Sequence, residues 1–140
     1  MQLTNDLSRY QLVPLLFAQD AVADAQTDVA LFTTDANNSC SLNVGYTMPW
    51  EGYVVAISAN LNAAGSTGTL VIDASVNATP LADPSVSITT ETEKSDHCNR
   101  NTAHFAADDV IGASITTASW NGTTSDLQVI VWVLLKISGI

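Results

Sequence analysis

Tyr53-Val-Val-Ala-Ile-Ser-Ala-Asn-Leu-Asn62, followed by Thr69-Leu-Val-Ile-Asp-Ala-Ser-Val-Asn77, is the stretch that decides the fold class. Side chains of an extended chain point alternately to opposite faces, so a half-buried strand reads with period two. In the first segment one face carries Tyr53, Val55, Ile57, Ala59 and Leu61. The other carries Val54, Ala56, Ser58, Asn60 and Asn62. In the second, Leu70, Ile72, Ala74 and Val76 alternate with Asp73, Ser75 and Asn77. The intervening Asn62-Ala-Ala-Gly-Ser-Thr-Gly68 reads as a Gly-rich hairpin connection.

The same period continues outward. Further strands are expected at Val29–Thr34, Ser41–Tyr46, Ser85–Glu91, Thr102–Ala106, Val110–Ser119 and Asp126–Ile137. Turn signals separate them at Asp35-Ala-Asn-Asn, Pro49–Gly52, Pro80–Pro84, Asp108-Asp109 and Asn121-Gly122. About eight short strands with no helical pattern among them predict an all-β, antiparallel, eight-stranded jelly-roll β-sandwich over residues 27–140.

Residues 1–26 read as an N-terminal arm that is separable from the sandwich, with a short helix as one option over Leu15–Gln26. Leu12, Val13, Leu15, Leu16 and Phe17 are costly to leave in water. The arm is therefore expected to dock, on a neighbour or on the domain itself.

The last strand differs from the rest. Its odd positions, Leu127 to Ile137, form an unbroken apolar face, while the even positions include Ile130, Trp132 and Leu134. A sandwich strand in a monomer needs one buried face. Val54 and Ala56 give the Tyr53 strand the same two-sided character. These five residues are the expected subunit interface, with coverage by the arm as the alternative. Burying side chains of this size stabilises an assembly by roughly 1.5–3 kcal/mol each.

Composition excludes several functions. Only Arg9, Lys94, Arg100 and Lys136 are cationic against a net charge of −10, too few for the basic stripe that phosphates require. No nucleic acid and no membrane partner is expected. Met1–Tyr10 is polar, unlike a signal peptide, and no run nears the roughly 18 apolar residues of a membrane span. Synthesis in the cytosol is the expectation. Cys40 and Cys98 are then more readily thiols than a bridge.

Chemistry-bearing residues are sparse. His97 and Cys98 read as a polar loop and His104 as an outward strand residue. They lack the ligand-pair spacing of zinc sites. The histidine and glutamate cluster of a cupin is absent, as are nucleophile elbows and phosphate loops. Asp108-Asp109 suits a turn better than a calcium site. The sequons at Asn37, Asn77 and Asn121 follow from Asn- and Thr-rich turns. Trp50 and Trp120 stand beside turns, where they cap a sandwich end or stack on a sugar. No enzyme, cofactor or metal is expected.

Three segments carry a resemblance. Gly52–Asn62 with Gly68–Asn77 resembles the central hairpin of small jelly-roll virion proteins of tailed bacteriophages. Phe105-Ala-Ala-Asp-Asp-Val-Ile-Gly112 is similar to the entry into their seventh strand, with Ala107 departing from the usual glycine-aspartate turn. Leu127–Val133 resembles their closing strand. The layout is also similar to the trimeric heads of the C1q and tumour-necrosis-factor-like superfamily, in which the third and last strands are neighbours. The resemblance, which covers Gly52 to the C-terminus, implies a homotrimeric capsid decoration (cement) protein. Such a protein sits on the outer surface of the virion, with the major capsid protein as partner and with the N-terminal arm (Leu12, Val13, Leu15, Leu16, Phe17) reaching a neighbouring trimer or the capsid shell. The alternative is a glycan- or receptor-binding head of a tail fibre or spike, which normally follows a long shaft.

Overall fold

A computed structural model describes residues 9–33, 45–122 and 125–138. Cys40, the turn at Asp35–Asn38, the sequon at Asn37 and most of the expected Ser41–Tyr46 strand lie outside the described residues, as do Met1–Ser8. The described chain is all-β. Its strands are β1 (Tyr10–Gln19), β2 (Val29–Ala30), β3 (Tyr46–Thr47), β4 (Gly52–Leu61), β5 (Thr69–Val76), β6 (Thr79–Ile88), β7 (Glu93–His97), β8 (Ala103–Phe105), β9 (Val110–Ala118) and β10 (Leu127–Lys136).

Two antiparallel sheets face each other. Sheet A runs β1-β10-β4-β7, with β8 continuing the β7 position along β4. Sheet B runs β2-β9-β5-β6, with β3 continuing the β2 position along β9. Taking β2 with β3 and β7 with β8 as interrupted single strands leaves eight strand positions. Their order, 1-8-3-6 opposite 2-7-4-5, is that of a jelly roll. The expected fold class is what the chain adopts, and β4 is indeed the neighbour of β10.

Period two explains the core. Leu127, Val129, Val131, Val133 and Leu135 of β10 face inward with Ile57, Ala59 and Leu61 of β4. They meet Leu70, Ile72 and Ala74 of β5 and Ile111, Ala113 and Ile115 of β9. Asn62–Gly68 is a crossover between the sheets rather than a hairpin, because β4 pairs with β10 while β5 pairs with β9. A short Gly-rich link serves either purpose, so the sequence does not separate them. Gly65 is required there: a Cβ on it would stand 2.7 Å from the Trp120 ring.

The true hairpin joins β5 to β6. Asn77 and Ala78 both have positive φ, 50° and 64°, in a two-residue loop between the paired Val76 and Thr79. This is the primed turn whose twist suits antiparallel strands. It extends β6 back through Pro80–Pro84, which the prolines had marked as a turn.

The arm expectation is corrected by β1. Tyr10–Gln19 pairs with β10 along its whole length, from Tyr10 opposite Lys136 to Gln19 opposite Leu127. Leu15 and Phe17 are buried in the core, and Val13 packs against it. Residues 10–19 are thus the edge strand of sheet A, with no helix, and they dock on their own domain. The Ala18 and Phe32 backbones exchange two hydrogen bonds on the far side of β1, of 2.8 and 2.9 Å. The even-numbered residues of β1 therefore turn their backbone groups away from β10, where Ala18 meets Phe32 and the Leu16 carbonyl accepts from the Tyr46 hydroxyl at 3.0 Å. Pro14, which has no N–H, falls on that series and interrupts the row of edge donors.

Candidate interaction face

The register of sheet A fixes its outer face row by row. Leu12, Leu134, Tyr53 and His104 stand side by side across β1, β10, β4 and β8. The next rows are Pro14, Trp132, Ala56 and His97, then Leu16, Ile130, Ser58 and Ser95 across β1, β10, β4 and β7. Ala18, Gln128, Asn60 and Glu93 close the series. The β1–β10 half is apolar for three consecutive rows, while the β4–β7 half is polar.

Leu12 and Leu16 are 53% and 48% exposed, the two large hydrophobic residues of the described chain that stand open to water. Ile130, Trp132 and Leu134 are half-buried by their neighbours in the sheet. β1 thus widens the apolar face of β10 instead of covering it. Leu12, Pro14 and Leu16 extend the row that the sequence assigned to Ile130, Trp132 and Leu134. The pattern of β1 went unread because Pro14 obscured its alternation.

One interface residue is corrected. Val54 is fully buried, in the core. The β4–β10 register shifts between Trp132, opposite Ala56, and Val133, opposite Val54, which leaves Val55 as an extra residue on β4. That bulge reverses the inward face: Gly52 and Val54 point inward before it, Ile57, Ala59 and Leu61 after it. Strict alternation carried across the bulge misplaces Val54, whereas Ala56 stands beside Trp132 as expected. Of the arm residues, Leu12 and Leu16 face outward and Val13, Leu15 and Phe17 face the core.

Polar groups border this face at one end. Glu51 accepts from His104 Nε2 at 3.2 Å and pairs with Lys136 Nζ at 3.6 Å. The His104 contact first, and Lys136 second, hold the Glu51 carboxyl below its ordinary range. The Arg100 guanidinium lies 4.7 Å from the centre of the Tyr10 ring. A polar depression of about 380 Å³ lies on the β4–β7 half, lined by Ser58, Asn60, Glu93, Lys94 and Ser95.

The remaining singled-out residues fall elsewhere. His97 belongs to strand β7 rather than a loop, and the Cys98 thiol donates to the Val54 carbonyl at 3.3 Å. Among the described residues no three His, Cys, Asp or Glu side chains converge. Asp109 closes the β8–β9 turn, accepting from Ala106 N and Asn77 Nδ2 at 2.8 Å each. These bonds, the Asn77 contact foremost, lower its pKa. Trp120 is buried between Gly65 and Gly122, and so is not placed to stack on a sugar. Trp50 is half-buried and donates to the Ser138 carbonyl at 2.8 Å.

No protein-family model matches the sequence, and no curated protein matches it. Among solved structures the chain is similar to one described as the acidic stable capsid structure of Helicobacter pylori bacteriophage KHP30. The identity is 12%, over 91% of this chain and 94% of that one, with a TM-score of 0.47.

Proposed function

We propose that the chain is a virion structural protein, a capsid decoration (cement) subunit. It associates with itself, as a homotrimer, through the outer face of sheet A. The observation that carries self-association is the contiguous apolar patch of Leu12, Pro14, Leu16, Ile130, Trp132 and Leu134. Solvent-facing patches of this kind mark protein–protein contacts. The outer face of sheet B, by contrast, carries Thr116, Ser114, Asp73, Ser85 and Ser87. One side of the sandwich presents an open apolar patch, and the other is mainly polar.

The place in a virion and the major capsid protein as partner are supported by the resemblance of Gly52–Asn62, Phe105–Gly112 and Leu127–Val133 to jelly-roll virion proteins. Ala56, beside Trp132, belongs to the contact, as do Leu12 and Leu16.

Sedimentation of the wild type and of Trp132→Ser tests the reading. The expected result is a trimer for the wild type and a monomer with an unchanged β-sheet spectrum for the variant. A wild type that stays monomeric at high concentration overturns it. Binding of each to empty capsids tests the decoration role: the wild type is expected to bind and the variant to bind weakly.

A further inference from the structure

The outer face of sheet B gathers oxygen donors. Asp73 of β5 stands directly opposite Ser114 of β9 and opposite Ser85 of β6. Directly opposed residues of antiparallel strands have Cβ atoms about 4.5–5.5 Å apart. Asp28, just before β2, reaches the same face. Its backbone N–H donates to Thr116 Oγ1 at 3.0 Å, and that hydroxyl donates to Asp28 Oδ1 at 3.3 Å. Thr116 is two residues from Ser114 on the same side of β9.

Ser114 is 6% exposed, and its Oγ is buried with no hydrogen-bond partner among the described residues. A buried hydroxyl without a partner costs free energy in a folded protein. Asp73 is itself partly desolvated. That burial, with the nearby Asp28 charge adding to it, raises its pKa despite a hydrogen bond from Ser85. The four cations are engaged or placed elsewhere. Arg100 lies over Tyr10, Lys136 on Glu51 and Lys94 on the Ser87 carbonyl and Glu91, while Arg9 precedes β1. Two carboxylates thus share a face with three hydroxyls and no engaged counter-charge.

We propose that Asp28, Asp73 and Ser114, with Ser85 and Thr116 beside them, hold a calcium ion. The donor set is all oxygen and of low charge, drawn from neighbouring strands. That suits the flexible coordination and longer bonds of Ca²⁺ better than the near-ideal octahedron of Mg²⁺. The ion supplies the partner that Ser114 Oγ lacks and neutralises the Asp28–Asp73 repulsion.

The test is calcium titration of chelator-stripped full-length protein, followed by calorimetry and thermal unfolding. Wild type is expected to show saturable binding and a Tm that rises with calcium. Asp73→Asn is expected to lose both. Ser114→Ala, which removes a hydroxyl that bonds to nothing without the ion, is expected to match the wild-type Tm in chelator and to bind calcium about tenfold more weakly. It decides the matter if Asp73→Asn does not fold. Absence of saturable binding by the wild type, or an unchanged affinity in Ser114→Ala, overturns the proposal.

Discussion

At the scale of single residues, Ala78 and Val54 stand where local preference alone would not put them. Ala78 holds φ at 64° in the β5–β6 loop, where an L side chain meets steric cost and glycine does not. Ala78→Gly is expected to raise stability by about 0.5–1 kcal/mol, once the freedom glycine gains in the unfolded chain is subtracted. Urea denaturation checks this, and a loss of stability would mean that the Ala78 methyl makes contacts outweighing the strain. Val54 departs in another sense. Its inward direction follows from the bulge at Val55, which is a property of the pairing with β10. No residue in Tyr53–Asn62 announces it, so a face assigned by strict alternation is correct from Ala56 onward and reversed at Tyr53 and Val54.

At the scale of elements, β1 changes what the N-terminal segment does. Read from sequence it is a detachable arm whose removal leaves a folded domain. In the fold it supplies Leu15 and Phe17 to the core. Truncations of large core side chains cost about 2–5 kcal/mol each, against total stabilities of about 5–15 kcal/mol. Deleting residues 1–19 is therefore expected to abolish cooperative thermal unfolding. A sharp transition in the truncated protein would restore the arm reading.

The end of β1 also carries a pH-sensitive contact. Asp20 lies within hydrogen-bonding reach of Asp126, which accepts from Ala21 N at 3.1 Å and Asn62 Nδ2 at 3.4 Å. The Asp126 hydrogen bond first, and its charge second, raise the Asp20 pKa above its ordinary 3.8, while the Ala21 and Asp20 hydrogen bonds lower that of Asp126. A carboxyl whose pKa rises on folding stabilises below its unfolded value, and that contribution is lost as pH climbs through the folded value. Asp20→Asn is thus expected to raise Tm at neutral pH and to leave it unchanged well below pH 3.8, as a Tm series against pH will read out.

Long strands of unmixed period were legible in the sequence: β4, β5, β9 and β10 lie where the alternation put them. What stayed hidden depended on partners. β7, the polar run Glu93–His97, is a strand because β4 offers it a ladder. β6 begins at Thr79 because the Asn77-Ala78 turn returns it to β5 despite two prolines. The apolar patch was half legible. Ile130, Trp132 and Leu134 declared themselves, whereas Leu12 and Leu16 joined them only once β1 was seen beside β10.

For the whole molecule, charge and patch act against each other. A net charge of −10 repels copies at long range, while the proposed contact through the outer face of sheet A would act at short range. Salt shortens the Debye length from about 30 Å at 0.01 M to about 8 Å at 0.15 M and leaves apolar burial intact. Self-association measured by sedimentation is expected to strengthen over that range. Weakening with salt would mean that ion pairs such as Glu51–Lys136, rather than the apolar rows, dominate the contact.

Pro14 sets a limit on what such association can become. A sheet whose outermost strand offered a full set of donors would invite the next copy to continue the ladder, and growth of that kind has no natural end. With the amide missing at the middle of β1, lateral recruitment stalls and copies meet by stacking surfaces. Stacked contacts can close on themselves, which is the geometry that the proposed homotrimer requires. One imino acid at a strand edge thus bears on the geometry of the proposed assembly.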